Sequence, residues 1–315
     1  MKKKTSKILK ILLIFFMLFV LTGCTKILKN EEGKAVQNSK TGQNLTENIL
    51  CQPESEETIK IYEENKVDLS KLPKCNDFKI SDGGYEGIWT TIFVKPLAWL
   101  LLKIGSLINS YGLAIIITTL LLRTIAVPIT KKTTIQSENL RIARPEIDKI
   151  EKKYRGRNDQ ESMMQKSQEL LLVYKKYNIN PMSGCLFSFI QIPLFFAFYE
   201  AINRLPVLFE RNFLGLFQLG TNPSTAIFQG KYYYIVFIIL VILGTYYSFK
   251  LNSAASMNVE QEKQMKMMSN VMIVIISLAS FSLPTAIGLY WIFNSGFTIC
   301  QNIIIKRRKK HARSV

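Results

Sequence analysis

Arg123 is the side chain whose chemistry most needs a reason. It stands in the middle of an apolar run, residues 113–130, that reads as a membrane span. An arginine at the centre of such a helix costs about 2.5–3.5 kcal/mol on insertion scales. Lys131 and Lys132 mark the nearer membrane face. At a helical rise of about 1.5 Å per residue, Arg123 lies roughly 12 Å from that face, too deep for snorkelling to return all of its charge to water. The only carboxylate within any predicted span is Glu200, near the opposite face, so the sequence offers Arg123 no salt bridge. A cation placed this way asks for a wet, protein-lined cavity. Its chemistry is attraction of acidic groups, not bond making.

Other polar residues fall at the same depth. Counting along each apolar run from its cytoplasmic end puts Gln191, Ser277 and Thr298 level with Arg123, and Asn294 somewhat deeper. Trp291 lies in the outer third of the last run, either as an interfacial aromatic or as a wall of the cavity. The outer half of these runs is mostly Ile, Leu, Phe and Val. A groove open to the cytoplasm and closed to the outside satisfies this pattern. Interhelical hydrogen bonding is the plainer account of Ser277 and Thr298 taken singly, but it does not explain an arginine.

Catalytic constellations are missing. The single histidine, His311, sits near the C-terminus, which removes Ser–His and Cys–His dyads and histidine-ligated metal. Gly230-Lys231 lacks the glycine-rich lead of a phosphate loop. Cys185 and Cys300 lie in apolar runs without CxxC spacing, and no paired carboxylates lie at membrane depth. The expectation is a protein without enzymatic activity, metal or cofactor.

The elements that must position these residues follow from charge and hydropathy. The chain has 315 residues, is 48% hydrophobic and carries a formal charge of +18, gathered in blocks between apolar runs. Residues 1–10 hold five lysines, 11–20 are apolar, and Leu21-Thr22-Gly23-Cys24 follows. This predicts a lipoprotein-type signal, residues 1–23, cleaved before Cys24, whose thiol is then lipidated. Residues 24–88 are polar and read as a loosely ordered extracytoplasmic segment. Cys51 and Cys75 lie on that oxidising side, and the sequence leaves their pairing open. Residues 89–310 form the core: a helix lying in the outer interface over 92–109, then spans at about 113–130, 183–202, 233–249, 269–283 and 286–305. Pro96, Lys95 and Lys103 argue against a sixth span at 92–109. The segment 131–182 holds twelve Lys/Arg and the tail 306–315 six, against three in 203–232, so the positive-inside rule puts the first two in the cytoplasm. Five spans then place the N-terminus outside, where lipidation requires it.

Residues 131–182 predict a cytoplasmic helical hairpin, with arms at 135–154 and 160–177 and an interruption at Pro145. Ile142, Ile147, Ile150, Leu170, Leu171 and Val173 are the residues that could pair the arms. Met257, Met265, Met267 and Met268 give the other cytoplasmic loop an adaptable apolar surface. Lys306, Arg307, Arg308, Lys309 and Lys310 stop transfer and offer a contact for ribosomal RNA or anionic lipid. The last two spans share 37 residues with their turn, short enough to thin the bilayer beside them.

Three stretches resemble the YidC/Oxa/Alb family of membrane protein insertases in its Gram-positive lipoprotein form. They run from Ser110 through Leu122-Arg123 to Pro128, from Asn180-Pro181-Met182 through Gly184-Cys185-Leu186 to Gln191-Ile192-Pro193, and from Pro284 through Leu289-Tyr290-Trp291 to Gln301. Arg144-Pro145-Glu146 and Lys153-Tyr154 fit as well, whereas Phe187 stands where members often carry proline. The resemblance implies an all-α membrane protein whose five spans form the hydrophilic groove. It further implies insertion of nascent membrane proteins, alone or with the Sec translocon, from the ribosome, by a chain functional as a monomer. Two other readings stand beside it: a polar-solute channel or transporter, and an assembly scaffold without insertase activity. A channel needs polar residues in the outer half as well, and a scaffold has no use for Arg123.

Overall fold

A computed structural model of the chain describes residues 25–157, 159–180, 183–252 and 259–314, with the backbone alone given for 183–192, 252, 259–266, 268 and 309–314. Cys24, Met257 and the predicted signal lie outside the described residues. The longer helices are α1 (Glu56–Glu64), α2 (Lys95–Ile108), α3 (Tyr111–Lys153), α4 (Gln160–Lys176), α5 (Ser183–Asn203), α6 (Pro223–Phe228), α7 (Ile235–Asn252), α8 (Val259–Ser282) and α9 (Thr285–Ser314). One short antiparallel pair, β1 (Asn212–Phe213) and β2 (Phe217–Gln218), joins Asn212 to Gln218 and Phe213 to Phe217. Among the described residues three helices are long and apolar enough to cross a membrane: Gly87–Ile108, Tyr111–Lys153 and Tyr232–Leu251. Ser269–Ser282 is a shorter apolar stretch.

The chain divides into two compact units. The first gathers Met1–Thr118, Ile192–Ile235 and Ser282–Tyr290. Here the expectation of a loose segment before residue 88 is overturned. Leu28, Leu45, Ile49 and Tyr62 form a buried core, flanked by Val36, Ile61, Val67, Leu69 and Leu72. Bridges Ile27–Thr46, Lys29–Ala35 and Gln37–Asn44 fold residues 27–46 back on themselves, and Cys51 is disulfide-bonded to Cys75. The Tyr62 hydroxyl donates to the Thr46 carbonyl at 2.8 Å. A polar composition hid this because a few well-spaced apolar residues, once cross-linked, suffice for a small core. The segment is also tied to the loop after α5, where Leu50 N donates to Arg204 O and Asn222 N to Thr41 O, both at 2.9 Å.

A buried ionic network fixes the start of α2. Lys95 is wholly buried, 3.0 Å from Glu86, and donates to the carbonyls of Asp82 and Gly84 at 2.6 Å. Arg204 reaches Glu86 at 2.5 Å, Glu200 at 3.3 Å and the Asn48 carbonyl at 2.6 Å. The Trp89 indole donates to Glu200 at 2.9 Å. Pro96 sits in the first turn of α2, directly after the π-helical turn Thr90–Val94 that leads into it. At the far end of α2, Asn109 takes a left-handed conformation (φ 51°) to turn the chain into α3.

The second unit comprises Thr119–Gln191, Val236–Phe281 and Trp291–Val315. The predicted separation of the first span from the first hairpin arm is absent, since α3 is a single helix of 43 residues with Pro128 and Pro145 inside it. Residues 131–134 are compatible with helix, and the Thr133 and Thr134 hydroxyls donate back to the Thr130 carbonyl at 2.8 and 3.0 Å. The end of α3 packs on α4 through Leu140, Ala143, Ile147, Val173 and Ile179, with Ile150, Leu170, Tyr174 and Tyr177 around them. Leu171 is exposed instead. Lys176–Glu146 at 2.7 Å and Lys153–Glu169 at 2.5 Å clip the arms together at their surface.

Burial alone raises the proton affinity of Glu86, but hydrogen bonds and charge from Arg204 and then Lys95 outweigh it, so its carboxyl is held below the ordinary value of 4.5. Its contribution to stability is therefore complete above pH 4.5 and is lost as pH falls through the depressed value. The protection factor of the Leu50 amide, which bonds to Arg204, is expected to fall below pH 4.5 in the wild type. In Glu86→Gln it is expected to be low already at neutral pH, with a flatter acid profile.

Candidate functional site

Two polar rows meet inside the second unit. On α3 the buried polar residues Thr119, Arg123, Thr130, Thr134 and Glu138 recur at spacings of four and seven, which places them on one face. On α9 Asn294, Thr298 and Asn302 recur every four residues, with Gln301 beside them. The rows are joined at two points. Arg123 Nε donates to Asn294 Oδ1 at 2.6 Å, and Gln301 Nε2 donates to Thr130 Oγ1 at 2.8 Å. Both contacts link residues 171 apart in sequence. The two segments therefore run parallel and in register, with a seven-residue repeat between rungs, the period at which helices keep one seam together.

Within each row the short polar groups are satisfied locally. Thr298 Oγ1 donates to the Asn294 carbonyl at 2.9 Å and Asn302 Nδ2 to the Thr298 carbonyl at 2.8 Å. Thr130 Oγ1 donates to the Ala126 carbonyl at 3.0 Å while accepting from Gln301. Trp291 Nε1 donates to Thr245 Oγ1 on α7 at 2.8 Å. Gly244, next to Thr245, lets α7 approach closely, since a Cβ there would stand 3.1 Å from the Ser295 Cβ. Buried polar groups in such a bundle must find partners, and these do.

The structure thus brings Arg123, Asn294 and Thr298 into one seam and ties Trp291 to its flank. Ser277 is only half-buried and donates to its own helix, to the Ile273 carbonyl at 2.6 Å. The side chain of Gln191 lies outside the described residues. The reading of Arg123 as unpartnered and water-bathed is corrected: it is 4% exposed and bonded to Asn294. A search for carboxylates overlooks an amide acceptor. Thr119, Thr130, Thr245, Gln301 and Asn302 were also overlooked. The signal for two of them was present, because Arg123 and Thr130 are spaced as Asn294 and Gln301 are.

At the cytoplasmic end predicted from charge, Glu138 is buried and receives Arg141 in a two-pronged contact at 2.9 and 2.6 Å. The basic tail is a continuation of α9, not a free peptide. Lys306 is half-buried with its ammonium 3.3 Å from the Leu251 carbonyl, Arg307 and Arg308 are exposed, and the side chains of Lys309 and Lys310 lie outside the described residues.

Three apolar helices of crossing length among the described residues, one of them carrying one side of a buried hydrogen-bonded polar seam, fit a polytopic membrane protein of the α-helical class. Residues 103–312 match the family described as 60Kd inner membrane protein. The chain is 34% identical over 229 residues to the membrane protein insertase YidC of Oceanobacillus iheyensis, covering 70% of this chain and 85% of that one. It is 36% identical over 221 residues to membrane protein insertase YidC 2 of Bacillus anthracis, covering 70% and 82%. With membrane protein insertase MisCA of Bacillus subtilis it shares 32% over 219 residues, covering 69% and 79%. A solved structure of an active YidC insertase with its first transmembrane domain resolved aligns with a TM-score of 0.48 at 24% identity, over 76% of this chain and 51% of that one. The chain thus spans about half the length of that protein. The chain belongs to the 60Kd inner membrane protein family, that of the YidC insertases.

The Thr130–Gln301 rung is expected to stabilise the seam by about 1 kcal/mol. A double-mutant cycle with Thr130→Val and Gln301→Leu checks this, read by unfolding in detergent. Near-additive single effects are the contrary result.

Proposed function

We propose that this chain is a membrane protein insertase and chaperone of the cell membrane, acting on nascent membrane proteins at the Arg123 seam. The observation that carries the reading is Arg123 itself: a buried cation, in a helix apolar enough to cross a membrane, held by the neutral amide of Asn294. The amide offers the guanidinium a single neutral oxygen here, whereas a carboxylate adds an opposite charge and takes arginine with two parallel bonds. An acidic residue in the short polar part of an incoming chain can therefore displace the amide. Asn294 and Thr298 offer further partners to that segment, and Gln191 completes the groove. The apolar part of the substrate partitions into lipid, which drives the process together with the membrane potential. Occupancy is transient, because the substrate must leave.

The groove belongs to a five-span core with its N-terminus outside and its C-terminus in the cytoplasm, anchored by lipid on Cys24. Gly87–Ile108 has the length and composition to cross, but its contacts support an interfacial position. Its N-terminal end meets Arg204 and Glu200 at the end of α5, through Glu86 and Trp89. Its C-terminal end meets Tyr111 at the start of α3, where the Tyr111 ring packs on Gly105. In antiparallel spans those two helix ends lie at one membrane face, so α2 begins and ends on the same side. The ribosome and the Sec translocon deliver substrates at the cytoplasmic face. There the α3–α4 hairpin receives them, and Arg307 and Arg308 contact rRNA or anionic lipid. The chain acts as a monomer.

Complementation of an insertase-depleted Gram-positive strain tests the reading, with membrane levels of each variant checked. Wild type and Arg123→Lys are expected to rescue growth, and Arg123→Ala to fail. Full rescue by the alanine variant would show that the charge is dispensable. Failure of correctly localised wild type would remove the insertase reading itself. Asn294→Asp places a permanent carboxylate on Arg123. It is expected to stabilise the seam yet slow insertion of a substrate with an acidic polar segment by on the order of tenfold, about 1.4 kcal/mol. A neutral substrate is expected to be spared in the same assay.

A further inference from the structure

We propose that the β1–β2 hairpin of the first unit is a membrane-inserted wedge, its leucine tip buried among the acyl chains of the leaflet at which α3 and α7 begin. The inference rests on the reading of Tyr111–Lys153 and Tyr232–Leu251 as spans.

The tip sequence, Phe213-Leu214-Gly215-Leu216, closes through Leu216 N donating to Phe213 O at 3.3 Å. Both central residues have positive φ, 54° at Leu214 and 69° at Gly215. Such a turn favours Asn or Gly at its first central position, because a side chain there crowds the following carbonyl. Leucine is a poor choice for the backbone, and it gains no protein packing in return: Leu214 is 71% exposed and Leu216 62%. A residue that fits neither the turn nor the protein core points to an apolar environment outside the protein.

The depth of the hairpin follows from its root. The Phe213 ring lies against Gly112, where a Cβ would overlap it, so β1 is seated on the first turn of α3. On the other side the Gln218 amide donates to the Tyr234 hydroxyl at 2.8 Å and the Tyr233 hydroxyl to the Leu216 carbonyl at 3.3 Å. The Phe217 ring meets both tyrosine rings edge-on at 5.4 Å. Tyr232 to Tyr234 lead directly into α7. The tip is thus pinned between the starts of two spanning helices, and its three residues extend no more than about 10 Å from that root. This is the level of the aromatic belt, where tyrosines sit and apolar side chains enter lipid. One neighbour at the root shares the exposure: Tyr232, which leads into α7, at 66%. Three apolar or aromatic side chains, Leu214, Leu216 and Tyr232, turned outwards at this level make the lipid contact.

The test places an environment-sensitive bimane label on the full chain in liposomes, with Cys24, Cys185 and Cys300 replaced by serine and the Cys51–Cys75 disulfide intact. Labels go on Leu214→Cys, on Leu243→Cys in the middle of α7, and on Lys34→Cys in the exposed N-terminal segment. At position 214, nitroxide placed high on the lipid acyl chain is expected to quench at least about twofold more than aqueous iodide. Iodide is expected to dominate at position 34. Equal iodide quenching at 214 and 34 would put the tip in water and overturn the proposal. Shielding of 214 from both quenchers would mean that protein covers it, which overturns it equally. Loss of acyl-chain quenching at 243 would instead strike the span reading, so the two failures are told apart. A second arm labels Leu216→Cys with and without Leu214→Asn, a residue better suited to the turn. Iodide access rising about twofold in the asparagine background supports a leucine-driven wedge. An unchanged profile in a folded protein would overturn the role assigned to Leu214.

Discussion

The second unit depends on an arginine that donates a hydrogen bond to an amide where neither is comfortable. Arg123 and Asn294 are each expensive to leave unsatisfied in an apolar bundle, and the 2.6 Å contact between them offsets part of both penalties at once. That bond fixes the rotation of α3 against α9, because only one face of each helix carries the partner. The Thr130–Gln301 contact seven residues further along each helix fixes their axial register. Apolar packing alone leaves such helices free to slide, since lipid tails are as apolar as leucine. Two polar rungs make the arrangement unique.

Much of this architecture is legible in the chain because its signals are long and redundant. The apolar runs coincide with helical segments: 233–249 falls on Tyr232–Leu251, 269–283 on the apolar end of α8, and 286–305 within α9. Depth counted from flanking lysines put Arg123, Asn294 and Thr298 near one level, and the structure brings these three into one seam. Ser277 shows the limit of counting depth, because a residue at the right height can still spend its hydroxyl on its own backbone. Depth fixes one coordinate, and rotation about the helix axis is set by packing.

What stayed hidden has a common cause. Residues 25–86 are held by a disulfide, a four-residue core and hydrogen bonds to a loop more than a hundred residues away. None of these has a period in the sequence, so composition suggested disorder. The continuity of α3 past Lys131 was concealed by charge, which marks where the membrane ends and not where the helix does. Gln301 and Thr130 look like ordinary helix residues until one notices that 130 follows 123 by the interval at which 301 follows 294.

Two buried arginines in this chain show how the acceptor decides the role. Arg204 is clamped by two carboxylates, Glu86 and Glu200, and by the Asn48 carbonyl. Removing any partner strands a charge in a poorly hydrated site, so the network is a permanent fastening. Arg123 gives its Nε to an amide, whose bond to a cation is weaker than a carboxylate's and can be exchanged. A carboxylate built in at that position would hold the helices more firmly and leave the guanidinium with nothing to offer an acidic segment. On the proposed function, the amide is strong enough to keep the seam closed and weak enough to yield to an acidic segment. A site that must bind and then release a passing chain needs that intermediate strength.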